Sequence, residues 1–188
     1  MRKLWCIAFL VICSLLTCFA VSAAEYTQPS EITKALNLQG VLIEIETKTI
    51  GRWDIETKTI GECDIALKWF SVEAVIMHIP DRPPLKGIHL MTIAHGYIDF
   101  DEIPLLKNAM DRFIDLTEQA NLNQVTKFKE FIYRTKSGIL FYLTVGDTPF
   151  FDIGVGGINL IRFTQLSDIK ALKGYIDDAY EYLVNYKE

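Results

Sequence analysis

Hydrophobic and polar positions change their period several times along this chain. Leu4 to Ala24 is an apolar run without a single charge. Val41 to Thr49 is rich in β-branched residues and partly alternates, which predicts a strand. Ile65 to Met77 alternates in two phases, Ile65, Leu67 and Trp69, then Val72, Ala74 and Ile76. That pattern predicts one or two strands with a break near Phe70–Ser71. Pro80, Pro83 and Pro84 predict a loop, because proline cannot donate to a ladder, and Ile88 to Ile93 predicts the next strand.

The period lengthens to that of a helix after Asp99. Ile103, Leu106, Met110, Phe113, Ile114 and Thr117 recur at steps of three and four, predicting an amphipathic helix to about Ala120. Asp101 is its expected cap, Glu102 suits the positive helix end, and Pro104 is tolerated in the first turn. Two other helices have start signals. Ser30 is expected to cap Glu31 to Leu38, with Gly40 as the stop, and Ser167 to cap a helix with the stripe Ile169, Leu172, Ile176, Ala179, Tyr180 and Leu183. Between the long helices lies a meander: Val125 to Thr135, a turn at Lys136–Gly138, Ile139 to Val145, then Phe150 to Val155 and Ile158 to Thr164 across Gly156–Gly157. Ile139 to Val145 is apolar on both faces except at Thr144, as in a central strand. Strands joined by short turns pair antiparallel, and each helix must bury its stripe. The expected fold class is therefore α+β, a two-layer sandwich of mainly antiparallel sheet with two main helices packed on one face.

The N-terminus adds a destination. Arg2 and Lys3 precede the uncharged run, and Val21-Ser22-Ala23-Ala24 supplies small residues at its exit. This is the n-region, h-region and cleavage pattern of a secretory leader over residues 1–24, with cleavage before Glu25 or Ala24. Residues 25–188 then form one domain of the size expected for a single core. Two rival readings are an uncleaved anchor, since about 20 apolar residues span a bilayer, and acylation at Cys18. For the latter, Thr17 of Leu15-Leu16-Thr17-Cys18 departs from a lipobox. No later segment is apolar enough to span a membrane. Of the four cysteines, Cys6, Cys13 and Cys18 fall in the leader, so Cys63 alone remains and an internal disulfide is excluded. Losing the leader removes two cations and no acid, which takes the net charge from −5 to −7. An acidic surface without a basic stripe excludes nucleic acid as a partner.

Residues 45–64 are a tandem duplication: Ile45 to Asp54 reads IETKTIGRWD and Ile55 to Asp64 reads IETKTIGECD. Two units are too few for a repeat architecture, so this reads as a local duplication that lengthens one hairpin. An even insertion leaves each downstream strand residue on its former face.

Candidate chemistry is sparse. His89, His95, Asp99 and Asp101 lie close in sequence and contain metal-ligand or acid–base residue types, but their spacing fits no zinc signature. The plainer reading makes Asp99 and Asp101 turn and cap residues and leaves the histidines, with His78 the third, in solvent. Ser30, Ser71, Ser137 and Ser167 lie outside any G-x-S-x-G, and Gly154-Val155-Gly156-Gly157 lacks the Lys-Ser/Thr of a phosphate loop. Asp177–Asp178 is expected on an exposed helix face. Phe141, Tyr142, Phe150, Phe151 and Phe163 gather in the last sheet, as core or as the lining of an apolar pocket. No catalytic, metal or cofactor residues are assigned.

Gly96-Tyr97-Ile98-Asp99-Phe100-Asp101-Glu102, the helix after it and Tyr133-Arg134-Thr135-Lys136-Ser137-Gly138 resemble a group of small exported bacterial proteins of unassigned function, over Gly96 to Glu188. The resemblance implies no activity and no site residues. The expected function is a non-catalytic binding or interaction module of the cell envelope or extracellular space, taking a small apolar ligand, a peptide or an envelope protein. The alternative is a small exported hydrolase or metal-dependent enzyme built on His89, His95, Asp99 and Asp101.

Overall fold

The computed structural model describes residues 29–54, 58–60, 63–65, 69–92, 95–123, 128–146, 149–155 and 158–187. Helix α1 (Glu31–Leu36) comes first, two residues shorter than expected. All its first-turn donors are satisfied. Ser30 Oγ accepts from Thr33 N at 3.1 Å, and the Ser30 carbonyl accepts from Lys34 N at 2.9 Å. Asp99, far downstream, accepts from Glu31 N at 2.7 Å and Ile32 N at 3.3 Å. A local cap and a tertiary one together stabilise a helix too short to hold itself.

Strand β1 (Glu44–Asp54) is followed by the short pair β2 (Lys58–Ile60) and β3 (Cys63–Ile65), then by β4 (Trp69–His78), β5 (Leu85–Met91) and β6 (His95–Asp99). The first sheet is antiparallel in the order β1-β4-β5-β6, and β2 pairs only with β3 among the described residues. β4 runs unbroken through Phe70–Ser71, because Phe70 and Val72 enter the core while Ser71 faces the other side. A 3-10 turn (Phe100–Glu102) leads into α2 (Ile103–Asn123). Strands β7 (Lys129–Arg134), β8 (Leu140–Val145), β9 (Phe150–Val155) and β10 (Ile158–Phe163) form a second four-stranded meander, and α3 (Leu166–Asn185) closes the chain. The α+β sandwich of antiparallel sheet and helices is as expected, with its strands divided between two main sheets. β8 is an inner strand; the Gly156–Gly157 turn lies outside the described residues.

Two expected caps are corrected. Asp99 occupies the cap position of the 3-10 turn, while Asp101 sits inside it and pairs with Lys136 at 2.6 Å. Gln165 is the cap residue of α3. Ser167 lies in the first turn, its hydroxyl 3.5 Å from Gln165 Oε1.

The architecture repeats. Each half is a four-stranded meander followed by a long helix. The buried stripe Ile103, Leu106, Met110, Phe113 and Thr117 of α2 has the same spacing as Ile169, Leu172, Ile176, Ala179 and Leu183 of α3. The helices are exchanged between the halves. α3 lies on β4, β1 and β5 of the first sheet, and α2 meets β7 and β8 of the second. Phe113 packs edge-on against Phe151 at 5.4 Å, and Tyr175 against Trp53 at 4.8 Å. The helices run antiparallel to each other, stitched by Lys107–Asp177 (3.0 Å), Asp111–Lys173 (3.3 Å) and Glu118–Lys170 (2.7 Å). One apolar cluster includes both sheets and both helices.

The duplicated decapeptide adopts two structures. The first copy is nearly all of β1. A bulge between Thr49 and Gly51 changes the parity of the strand, so Trp53 faces Phe70, Phe163 and Tyr175. Gly51 lies under the Tyr175 ring, where an added Cβ would come within 2.1 Å of it. The second copy contributes β2 and the first two residues of β3, and Cys63 takes the place equivalent to Trp53. Residues 55–68 connect Asp54 to its partner Trp69. Deleting Ile55–Asp64 leaves Ile65–Lys68, a connection of ordinary hairpin length. The deletion variant is expected to unfold cooperatively within about 4 °C of the parent midpoint, since loop length enters stability only logarithmically. Loss of a cooperative transition in a thermal melt would refute the insertion reading.

Candidate functional site

The acidic stretch Asp99–Glu102 is a junction between three segments. Asp99 holds the first turn of α1. Asp101 reaches Lys136 Nζ. Glu102, buried, accepts from Lys136 N at 2.7 Å. Ser137 Oγ donates to the Tyr97 carbonyl at 2.5 Å, and Gly138 turns the β7–β8 hairpin at φ +84°. Gly96–Glu102 and Tyr133–Gly138 therefore touch each other: the end of β6 and the 3-10 turn grip the β7–β8 turn. Burial pushes the Glu102 carboxyl above its ordinary range, against the lowering effect of its bond to Lys136 N.

The histidines are elsewhere. His78 bonds Glu46 at 3.1 Å near Tyr186. His95 is exposed on β6, four residues along the strand from Asp99. His89 is buried, against the expectation of a solvated side chain, and its partner is Glu73. Glu73 Oε2 lies 3.0 Å from His89 Nδ1, Ser71 Oγ donates to Glu73 Oε1 at 3.3 Å, and Tyr97 stacks on the imidazole at 4.4 Å. Burial is the largest influence on His89 and lowers its proton affinity, outweighing the opposing effect of Glu73. Burial thus favours the uncharged ring, held against Glu73 by the hydrogen bond at Nδ1. Asp99 and Asp101 do not join the histidines, and among the described residues no group of three His, Cys, Asp or Glu side chains is placed so that all three could hold one metal ion. Ser71 contacts the carboxyl instead of the imidazole, which is not the order of a Ser–His–acid relay.

Sequence reasoning missed Glu73. Its one signal is a lone acid inside the apolar run from Phe70 to Met77, where a buried charge needs a partner on the next strand.

Two depressions flank the contact of α1 with the proline loop. One, of about 280 Å³, is lined by Ile32, Pro84, Leu85 and Phe100, with Glu31 and Lys86 among its polar residues. The other, of about 330 Å³, is lined by Ala35, Leu38, Ile79 and Pro84, with Lys34 and Arg82. Glu31, Pro84 and Leu85 border both. Leu36, Val41 and Leu42 are exposed in and just after α1, Leu42 at 88%.

The aromatic group of the second sheet divides by strand parity. Phe141, Phe151 and Phe163 are core residues. Tyr142 and Phe150 lie on the opposite face, where Tyr142 donates to Glu130 and Arg162 stacks on Phe150 at 3.9 Å while gripping Asp152 with two bonds. Asp177 is half-buried between Lys107 and Lys173, not on an open face. Among the described residues no helix is long and apolar enough to cross a membrane. No family model, curated protein or solved structure matches the chain.

Two measurements check these electrostatics. Glu102→Ala is expected to cost about 1–3 kcal/mol in urea unfolding at neutral pH, because it strands the Lys136 amide. Glu102→Gln, which keeps the acceptor and has no charge to bury, is expected to match or exceed the parent. His89 takes up a proton less readily folded than unfolded, so stability is full above 6.5 and falls as pH drops below that value. The melting midpoint should therefore decline on acidification from 6.5, and less steeply in His89→Gln. Identical slopes would refute the assignment.

Proposed function

We propose that the protein is an exported, non-catalytic binding module of the cell envelope or extracellular space, holding a small apolar ligand or a short peptide between α1 and the proline loop. The observation that carries this is the pair of adjoining depressions about Glu31, Pro84 and Leu85, whose floors are apolar and whose rims carry both signs of charge. Binding sites combine these features: apolar walls supply affinity and a few polar groups orient the ligand. The leader pattern over residues 1–24 and the resemblance over Gly96 to Glu188 support export. The hydrolase alternative asks Asp99 and Asp101 to work with His89 and His95, but both carboxylates hold other segments of the fold.

A neutral fluorescent apolar probe, phenylnaphthylamine, is expected to bind saturably at one site per chain. Glu31→Trp, which places an indole between the two depressions and leaves the Glu31 amide on Asp99, should weaken binding at least about tenfold, or 1.4 kcal/mol. Absence of saturable binding to the parent protein would defeat the ligand reading. Intact mass of the secreted chain, expected to start at Glu25 or Ala24, tests export separately.

A further inference from the structure

The face of the first sheet that carries Glu73 holds a cluster that apolar binding at α1 does not use. His89 pairs with Tyr97, and Met91 with His95, across β5 and β6. His89 and His95 are therefore diagonal neighbours on one face, and their ring centres lie 5.8 Å apart. Glu73, directly opposite His89 on β4, assigns the imidazole proton to Nδ1. Nε2 then keeps a lone pair, and that atom is buried with no hydrogen-bond partner. A buried polar atom left bare in an otherwise ordered cluster requires an explanation, and a bound ion is one.

We infer that His89 Nε2 and His95 bind one divalent late-transition-metal ion, of the zinc, nickel or copper class, with Glu73 as the acid that orients His89. Imidazole selects this class, whereas calcium and magnesium demand oxygen ligands. A metal–nitrogen bond of about 2.0–2.1 Å places the ion about 3.2 Å from a ring centre, so two rings sharing an ion lie up to about 6.4 Å apart. The observed 5.8 Å falls within that reach. The Glu73–His89 bond supplies the carboxylate–histidine pairing that fixes ring orientation and tautomer at metal sites. Ser71 holds the far oxygen of Glu73, and the nearly parallel Tyr97 ring, at 8°, holds the plane of His89. Two protein ligands leave the remaining positions to solvent or to a donor from a bound partner, which makes this an open site.

The test is calorimetric titration of the full chain, its thiols alkylated, with zinc, nickel and copper chlorides slightly above neutral pH. One ion per chain is expected, with no uptake of magnesium. His95→Ala, an exposed change that leaves the fold intact, should weaken affinity about tenfold or more, and Glu73→Gln about 10–100-fold. His78→Ala, on the distant histidine, should leave it unchanged. On binding, the ¹⁵N resonance of His89 Nε2 should move while Nδ1 stays protonated. No uptake by the parent chain, or uptake that His95→Ala leaves intact, overturns the inference. Neither result bears on probe binding beside α1, so the two proposals fail independently.

Discussion

Each sheet of this protein is covered by a helix that the other half supplies, and the rest of the structure depends on that exchange. A four-stranded meander can satisfy its own ladder, but it leaves one apolar face open. The helix directly after each meander packs over the other sheet, so neither half can bury its stripe alone. Phe113 meeting Phe151 and Tyr175 meeting Trp53 are the two reciprocal contacts. The lysine–carboxylate pairs between α2 and α3 are partly exposed and contribute little energy individually, yet their alternation fixes which way the helices run. Burial supplies the stability, at roughly 1.5–3 kcal/mol for each large side chain, and the pairs select one arrangement of it.

Element type was legible in the sequence wherever periodicity was long. The stripes from Ile103 and from Ile169 predicted both helices, and the alternation around Ile139 predicted an inner strand. What periodicity cannot encode is the address to which a stripe is delivered. Nothing in Ile103–Thr117 distinguishes the second sheet from the first, so the division into two sheets and the exchange of helices emerged only in three dimensions. Caps failed for a related reason. Asp101 and Ser167 have the right chemistry just inside the right place, each past the residue at the cap position, Asp99 and Gln165, while the acceptor that completes α1, Asp99, comes from a strand far along the chain. A local rule has no access to such a partner.

The same limit governs the candidate site. His89 was visible as a residue type, but its environment was not, because Glu73 reaches it through strand register and not through sequence spacing. Conversely, the cluster Asp99–Asp101–Glu102 looked reactive in sequence and is mechanical in the fold. Each of its carboxylates accepts from another segment, which leaves it committed and explains why acids are found where three chain segments meet. The duplicated decapeptide makes the point most sharply. Eight identical residues of ten form one continuous strand in the first copy and take part in a folded-back pair in the second. Only one place exists beside β4, and Trp53 is the residue that fills it.

Late delivery of α3 has a consequence for how the chain is made. Synthesis proceeds from the N-terminus, and domains generally fold as units when complete. Here the first meander must wait, uncovered, until the final twenty-residue helix has left the ribosome. A nascent chain of this topology therefore keeps one apolar face of its first sheet open until α3 has emerged, so the order of synthesis sets when the core can close.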